Sequence, residues 1–265
     1  MPIKSIDHFN SAIKRSENLL QLFDLLADDR SRNVRKERAK TIKKIMRWPQ
    51  RQKIKIIESK KMQSVLIMKE TTQIDYNNFG TNYIDEILRA ALVSAVSALD
   101  RYIHDLIVEN CIKMLNQKEE NIPSGLKRLK LSLIVTKNVL LRMKRNNGDE
   151  NKGTRPGFVL KKAIQDELHL KPFQSAEEIK NAMSIIGIKD LWPNISKVIN
   201  PPLTQEAIKT SLKRIADRRN QIVHEADLFR KTRGKKISLR EIKRRNVEQN
   251  ITFIKSLVFA MEKVK

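Results

Sequence analysis

Cysteine is almost missing from this chain: Cys111 is the only one, so no disulfide can close within it, and no Cys and His cluster shows zinc spacing. That usage points to a reducing compartment, and cytoplasmic residence is the expectation. Glycine and proline are scarce as well, with 7 and 8 copies in 265 residues, and so few breakers disfavour an all-β architecture. Aromatic residues make up only 5%, too few for extended base stacking. The opening Met1-Pro2-Ile3-Lys4-Ser5 lacks the apolar core of a signal peptide, and no apolar run reaches the ~20 residues of a membrane span. No basic amphipathic helix with aromatic or leucine anchors stands out, so no membrane partner is expected. Acidic residues are outnumbered, 30 against 54 Lys and Arg.

The resulting charge of +24 exceeds what solubility requires and sets up a positive field that calls for a polyanionic partner, RNA or DNA. The excess is uneven. Residues 30–61 hold fourteen Lys or Arg against Glu37 and Glu58, net +12, and within them Lys43, Lys44, Arg47 and Arg51 are candidate phosphate contacts. Residues 127–145 carry seven Lys or Arg and no acid; with Lys144 and Arg145 at their end, they form a second candidate patch. Arg230, Lys231, Arg233, Lys235 and Lys236 form a third. A solvated helix face is the alternative reading of each run.

Apolar periodicity predicts helices almost throughout. Phe9, Ile13, Leu20 and Phe23 mark a first helix, and residues 71–83, with Gly80, read as a loop before a second domain. Residues 83–115 should form a central core helix, with a stripe running from Ile87 to Ile107 that Asp100 interrupts and His104 adjoins. Another helical pattern follows Pro123, and a polar loop spans residues 146–153. Ser175 and Glu178 have capping-box spacing, Gly187 is a helix stop, Thr204 can cap the helix bearing Ile208, Leu212 and Ile215, and Ser238 with Glu241 suggests a second capping box for the last helix. The expected organisation is a basic helical N-terminal extension over residues 1–80 and an all-α bundle over residues 81–265.

The chemistry concentrates around one histidine. His8 and His169 have no catalytic company, whereas His224 is surrounded by Arg218, Arg219, Asn220, Glu225 and Asp227. An RNA phosphodiester carries its own nucleophile, the 2′-OH. Cleavage needs a base for that proton, an acid for the leaving oxygen and positive charge on the phosphorane. An imidazole can move the protons and a guanidinium can grip the phosphate, so no metal or other cofactor is required. Asn220 and His224, four residues apart, share a helix face, and Arg219 can swing towards it. By spacing alone, such residues are more often just a solvated helix end.

The string Asp217-Arg218-Arg219-Asn220-Gln221-Ile222-Val223-His224-Glu225-Ala226-Asp227 resembles the signature of the HEPN superfamily, in which an Arg, often followed by Asn, precedes a His by a few residues. Val96-Ser97-Ala98-Leu99-Asp100-Arg101-Tyr102-Ile103-His104-Asp105 resembles the first core helix of its RiboL-PSP-HEPN branch, and Phe173-Gln174-Ser175 with Leu191-Trp192 its middle section. The resemblance covers about residues 84–265 and implies a HEPN-type helical bundle that dimerises with its motifs facing. It also implies a metal-independent endoribonuclease leaving a 2′,3′-cyclic phosphate, acting as a toxin or in anti-phage defence, with a neutralising antitoxin or defence-system partner. By position it implies that Arg219 binds the scissile phosphate, His224 serves as acid or base and Asn220 orients them. Arg218 also falls within the motif's tolerated spacing, and Asp100 and His104 match supporting positions that are structural or catalytic. Two other readings compete: a non-catalytic HEPN module binding nucleic acid, nucleotide or protein, and a basic scaffold whose HEPN part only dimerises it.

Overall fold

The computed structural model describes residues 4–26, 30–33, 36–58, 65–69, 84–146, 156–169, 171–230 and 237–265. Apart from Asn146, the two polar loops expected over residues 71–83 and 146–153 lie outside the described residues, as do Lys60, Lys61, Lys231, Arg233, Lys235 and Lys236. The chain forms two compact units, one of Met1–Lys14, Leu92–Arg240 and Gln249–Lys265, the other of Arg15–Ala91 and Glu241–Glu248.

The larger unit is a helical bundle, as the periodicity predicts. Its centre is the long helix α3 (Asp85–Leu115), on which Leu92, Val96, Leu99, Tyr102, Ile103, Leu106 and Ile107 are all buried. The first half of α1 (Ser5–Leu26) packs Phe9 edge-on against Tyr102, with ring centroids 5.8 Å apart. The Tyr102 hydroxyl donates a 2.7 Å hydrogen bond to Glu262 at the end of α10 (Arg244–Val264). Burial and that acceptor push the phenol pKa upwards, so the hydroxyl stays a donor. Cys111 is buried on the same helix, and desolvation pushes its thiol up to about 12, which makes it an inert core residue.

Shorter helices enclose this centre: α4 (Ser124–Lys127), α5 (Leu133–Asn146), α6 (Pro156–Leu168), α7 (Ala176–Ile185), α8 (Leu191–Val198) and α9 (Gln205–His224). Both caps expected here are present. Ser175 accepts from the Glu178 amide while Glu178 accepts from the Ser175 amide, and Thr204 accepts from the Ala207 amide. Gly187 takes φ +82 just past α7, a conformation open to glycine at little cost.

One expectation near the C-terminus fails. Ser238 does not cap the last helix: it lies in β5 (Ile237–Leu239), which pairs antiparallel with β4 (Leu228–Arg230), and α10 starts only at Arg244. Strand pairing satisfies the backbone there, so the Ser-x-x-Glu spacing is coincidental.

The smaller unit differs from a purely helical extension. Between the second half of α1 and the short α2 (Lys36–Ile45) stands β1 (Arg30–Asn33), and β2 (Ile54–Glu58) and β3 (Val65–Lys69) follow, in one antiparallel sheet of order β1-β2-β3. The runs Ile54-Lys55-Ile56-Ile57 and Val65-Leu66-Ile67 are short and rich in β-branched residues, which suits strands, and their basic neighbours hid them in the charge count. Here Arg244, at the start of α10, forks onto Asp24 through two 2.9 Å bonds, and that hydrogen-bonded carboxylate raises the Arg244 pKa. Lys44, Arg47 and Arg51 are exposed on α2 and the turn after it, while Lys43 is half-buried and donates to the Gln50 carbonyl. Among the described residues, no helix is long and apolar enough to cross a membrane.

Candidate active site

The candidate residues lie in the last two turns of α9 because Ile208, Leu212 and Ile215 bury the opposite face of that helix. Burying those three turns the row Lys209, Lys213, Asp217, Asn220 and His224, spaced four, four, three and four apart, towards a cleft. The cleft encloses about 740 Å³, and its far wall is Pro172, Gln174 and the capped first turn of α7.

At the C-terminal end of α9, the Arg219 guanidinium lies between two partners. Its Nη1 donates to Asn220 Oδ1 at 3.1 Å and sits 3.3 Å from His224 Nε2. A guanidinium offers donors only, so this contact becomes a hydrogen bond when Nε2 presents its lone pair. Arg219 Nε is shielded from solvent and has no hydrogen-bond partner among the described residues. His224 and Asn220 are exposed, leaving the imidazole open to a ligand.

The two adjacent arginines have different employment. Arg218 does not face the cleft: it grips the carboxylate of Asp227, Nη2 to Oδ2 at 2.8 Å and Nη1 to Oδ1, and also donates to Gln221. Asp227 is 1% exposed. This pair fastens the exit from α9, where Ala226 and Asp227 both take left-handed φ values of 50 and 55. The Asp227 amide donates to the Gln221 carbonyl, and the Asp227 carbonyl accepts from Arg240, which also bonds Glu225. His224, between Arg218 and Asp227 in sequence, is thereby held at the end of a closed turn.

Asp100 and His104 come together elsewhere. Asp100 Oδ1 accepts from the Phe173 amide at 2.5 Å, Asp100 Oδ2 lies 3.6 Å from His104 Nε2, and the His104 ring tilts against the Phe173 ring at 4.7 Å. Neither lines the cleft, yet both anchor the residue between Pro172 and Gln174, which do. Their place is behind the cleft wall. Desolvation lowers the His104 pKa against the opposing pull of Asp100, which favours a neutral ring packed on Phe173.

Lys209, Lys213 and Asp217 are cleft residues that the motif alone did not single out, although the signal was present: counting back from His224 in helical steps reaches each of them. Lys209 pairs with Glu206 at 2.9 Å. Gln174 and Ser175 could be found only from the fold. His8, which has no catalytic company in the sequence, has a packing role: it bonds Asp105 at 2.9 Å alongside Arg101 and joins α1 to α3. Lys144 and Arg145 lie in the last turn of α5, with side chains outside the described ones. Among the described residues, no three His, Cys, Asp or Glu side chains converge as a metal-binding group.

No curated protein and no solved structure gave a match to this chain. The family model of RiboL-PSP-HEPN matches residues 63–264, a span that takes in α3, the cleft wall, α9 and α10. The match covers most of the chain and agrees with the helical bundle; the chain belongs to the RiboL-PSP-HEPN family of the HEPN superfamily.

Proposed function

We propose that the protein is a metal-independent endoribonuclease whose chemistry rests on Arg219, Asn220 and His224. The observation that carries this reading is the Arg219 guanidinium 3.3 Å from the exposed His224 imidazole at the mouth of a cleft. A scissile phosphate entering there exchanges the Arg219–His224 contact for bonds from the guanidinium to its two non-bridging oxygens. Nε2 of His224 is then free to take the 2′-OH proton. O2′ attacks phosphorus, the P–O5′ bond breaks, and the products are a 2′,3′-cyclic phosphate and a 5′-hydroxyl once the leaving oxygen receives a proton. Arg219 offsets the charge of the phosphorane, and Asn220 orients Arg219.

One motif histidine supplies one proton-transfer group, so the reaction calls for a second. A homodimer with facing motifs supplies it as the partner's His224. Exposed apolar residues beside the site support that arrangement: Val223 precedes His224, and Leu228 and Leu239 are paired across β4 and β5. The basic runs, with Lys43, Lys44, Arg47, Arg51, Lys144 and Arg145, supply sequence-independent phosphate contacts to RNA. We assign the enzyme to a toxin or anti-phage role in the cytoplasm, with the basic extension over residues 1–80 serving the domain over residues 81–265.

The test is cleavage of RNA by purified protein in EDTA. Parent protein should cut and leave cyclic phosphate ends, and folded His224→Ala should lose at least about 100-fold in rate, the ordinary worth of a general base or acid. Mixing His224→Ala with parent chains should lower activity below the value for independent monomers. Binding without cleavage would identify a non-catalytic RNA- or nucleotide-binding module, and a folded His224→Ala that cuts at the parent rate would end the assignment.

A further inference from the structure

The helix α5 presents a face that is exposed among the described residues. Val135 and Val139 turn inward against Val159 and Ala163 of α6, across a gap of only about 40 Å³. Ser132 caps the start of α5 and its amide donates to Glu167 of α6, which ties the two helices together at that end. On the opposite side Leu133 is 88% exposed, Ile134 65%, and Leu140 and Leu141 about half. These four sit seven apart in two pairs, a continuous aliphatic stripe on a held helix. Isolated exposed leucines need no explanation, but a stripe at heptad spacing does.

Lys137 lies in the middle of that stripe, four residues from Leu133 and Leu141 and three from Leu140, and it is exposed. The surrounding residues 127–145 hold seven Lys or Arg and no Asp or Glu.

We propose that this face of α5 is a docking surface for an acidic amphipathic helix of a partner protein. Charge chooses the occupant. A second copy of the chain packed face to face on α5 would set Lys137 against Lys137, with no carboxylate in residues 127–145 to answer it. A bilayer accepts aliphatic residues at one depth and cations at the level of its phosphates, so it needs the cations at the flanks of the apolar stripe. Lys137 is at the centre. RNA backbone contacts would leave the four aliphatic side chains in water. A protein helix satisfies both features: its leucines fill the gaps between Leu133, Ile134, Leu140 and Leu141, and a carboxylate one turn away reaches Lys137.

The probe is a synthetic amphipathic helix with leucines along one face and glutamates bordering and facing Lys137, titrated against the full-length protein by fluorescence anisotropy. It should bind, a scrambled peptide of equal composition should bind far more weakly, and the double change Leu133→Ser, Leu140→Ser should remove the difference. Both positions are exposed, so circular dichroism should show an unaltered fold. Lys137→Glu should weaken binding about ten-fold, and a peptide with lysine in place of the facing glutamate should restore it. Equal binding of native-order and scrambled peptides would reduce the effect to attraction for a cationic chain and overturn the proposal. So would absence of binding, or capture of phosphatidylglycerol vesicles or RNA through Leu133 and Leu140 instead. Loss of a homodimer on the double serine change would reassign the face to a second copy.

Discussion

The ion pair between Arg218 and Asp227 offers a sharp test of how the site is held. Asp227→Asn keeps the side-chain shape and the tolerance for left-handed backbone, so it isolates the charge from the turn. Exposed pairs contribute little, ~0.2–1 kcal/mol, but Asp227 is 1% exposed and bound by both ends of one guanidinium. Removing one member of a buried pair costs ~3–5 kcal/mol, because the remaining charge has been taken out of water. For a chain of this size, that loss lowers the melting temperature by about 10 °C. The substituted turn no longer fixes the end of α9, so RNA cleavage should fall with stability although Asp227 does not line the cleft. Urea unfolding followed by circular dichroism, with a cleavage assay on the same samples, reads both effects. Arg218→Lys should behave similarly, since an ammonium cannot fork onto both carboxylate oxygens. If Asp227→Asn stays within about 0.5 kcal/mol of the parent and cuts at full rate, the pair does not hold the site. If it loses activity at unchanged stability, Asp227 takes part in the chemistry and the division of labour between Arg218 and Arg219 is wrong.

Replacing Lys43, Lys44, Arg47 and Arg51 together by Gln should flatten the salt dependence of RNA binding by up to about 3 in log–log slope if all four meet phosphates, and an unchanged slope would return them to a solvated face. His104, whose pKa burial lowers below the ordinary 6.5, binds fewer protons folded than unfolded, so it contributes stability that is full above that value and is lost as pH falls below it. The stability gap between parent and His104→Gln should therefore narrow between about pH 7.5 and about pH 5.5, and a gap independent of pH would show that the ring does not titrate against folding.

The sequence by itself determined the helical class, because apolar residues three and four apart leave one way to bury them, and α1, α3, α9 and α10 follow that periodicity closely. It also determined the caps at Ser175 and Thr204, and the family string, since both are local patterns of adjacent residues. Strand pairing was not legible. Residues 54–58 and 65–69 are too short to declare a period, and Ser238 imitates a cap because its β4 partner, Phe229, lies outside the four-residue window from which a cap is read. Only the tertiary structure told the placements of the two neighbouring arginines apart. Both lie within the motif's spacing of His224, and one residue of helix is a turn of about 100°, so burial of Asp227 takes Arg218 away while the cleft receives Arg219. It likewise placed Asp100 and His104 behind the wall at Phe173, a contact across seventy-three residues that no local pattern encodes.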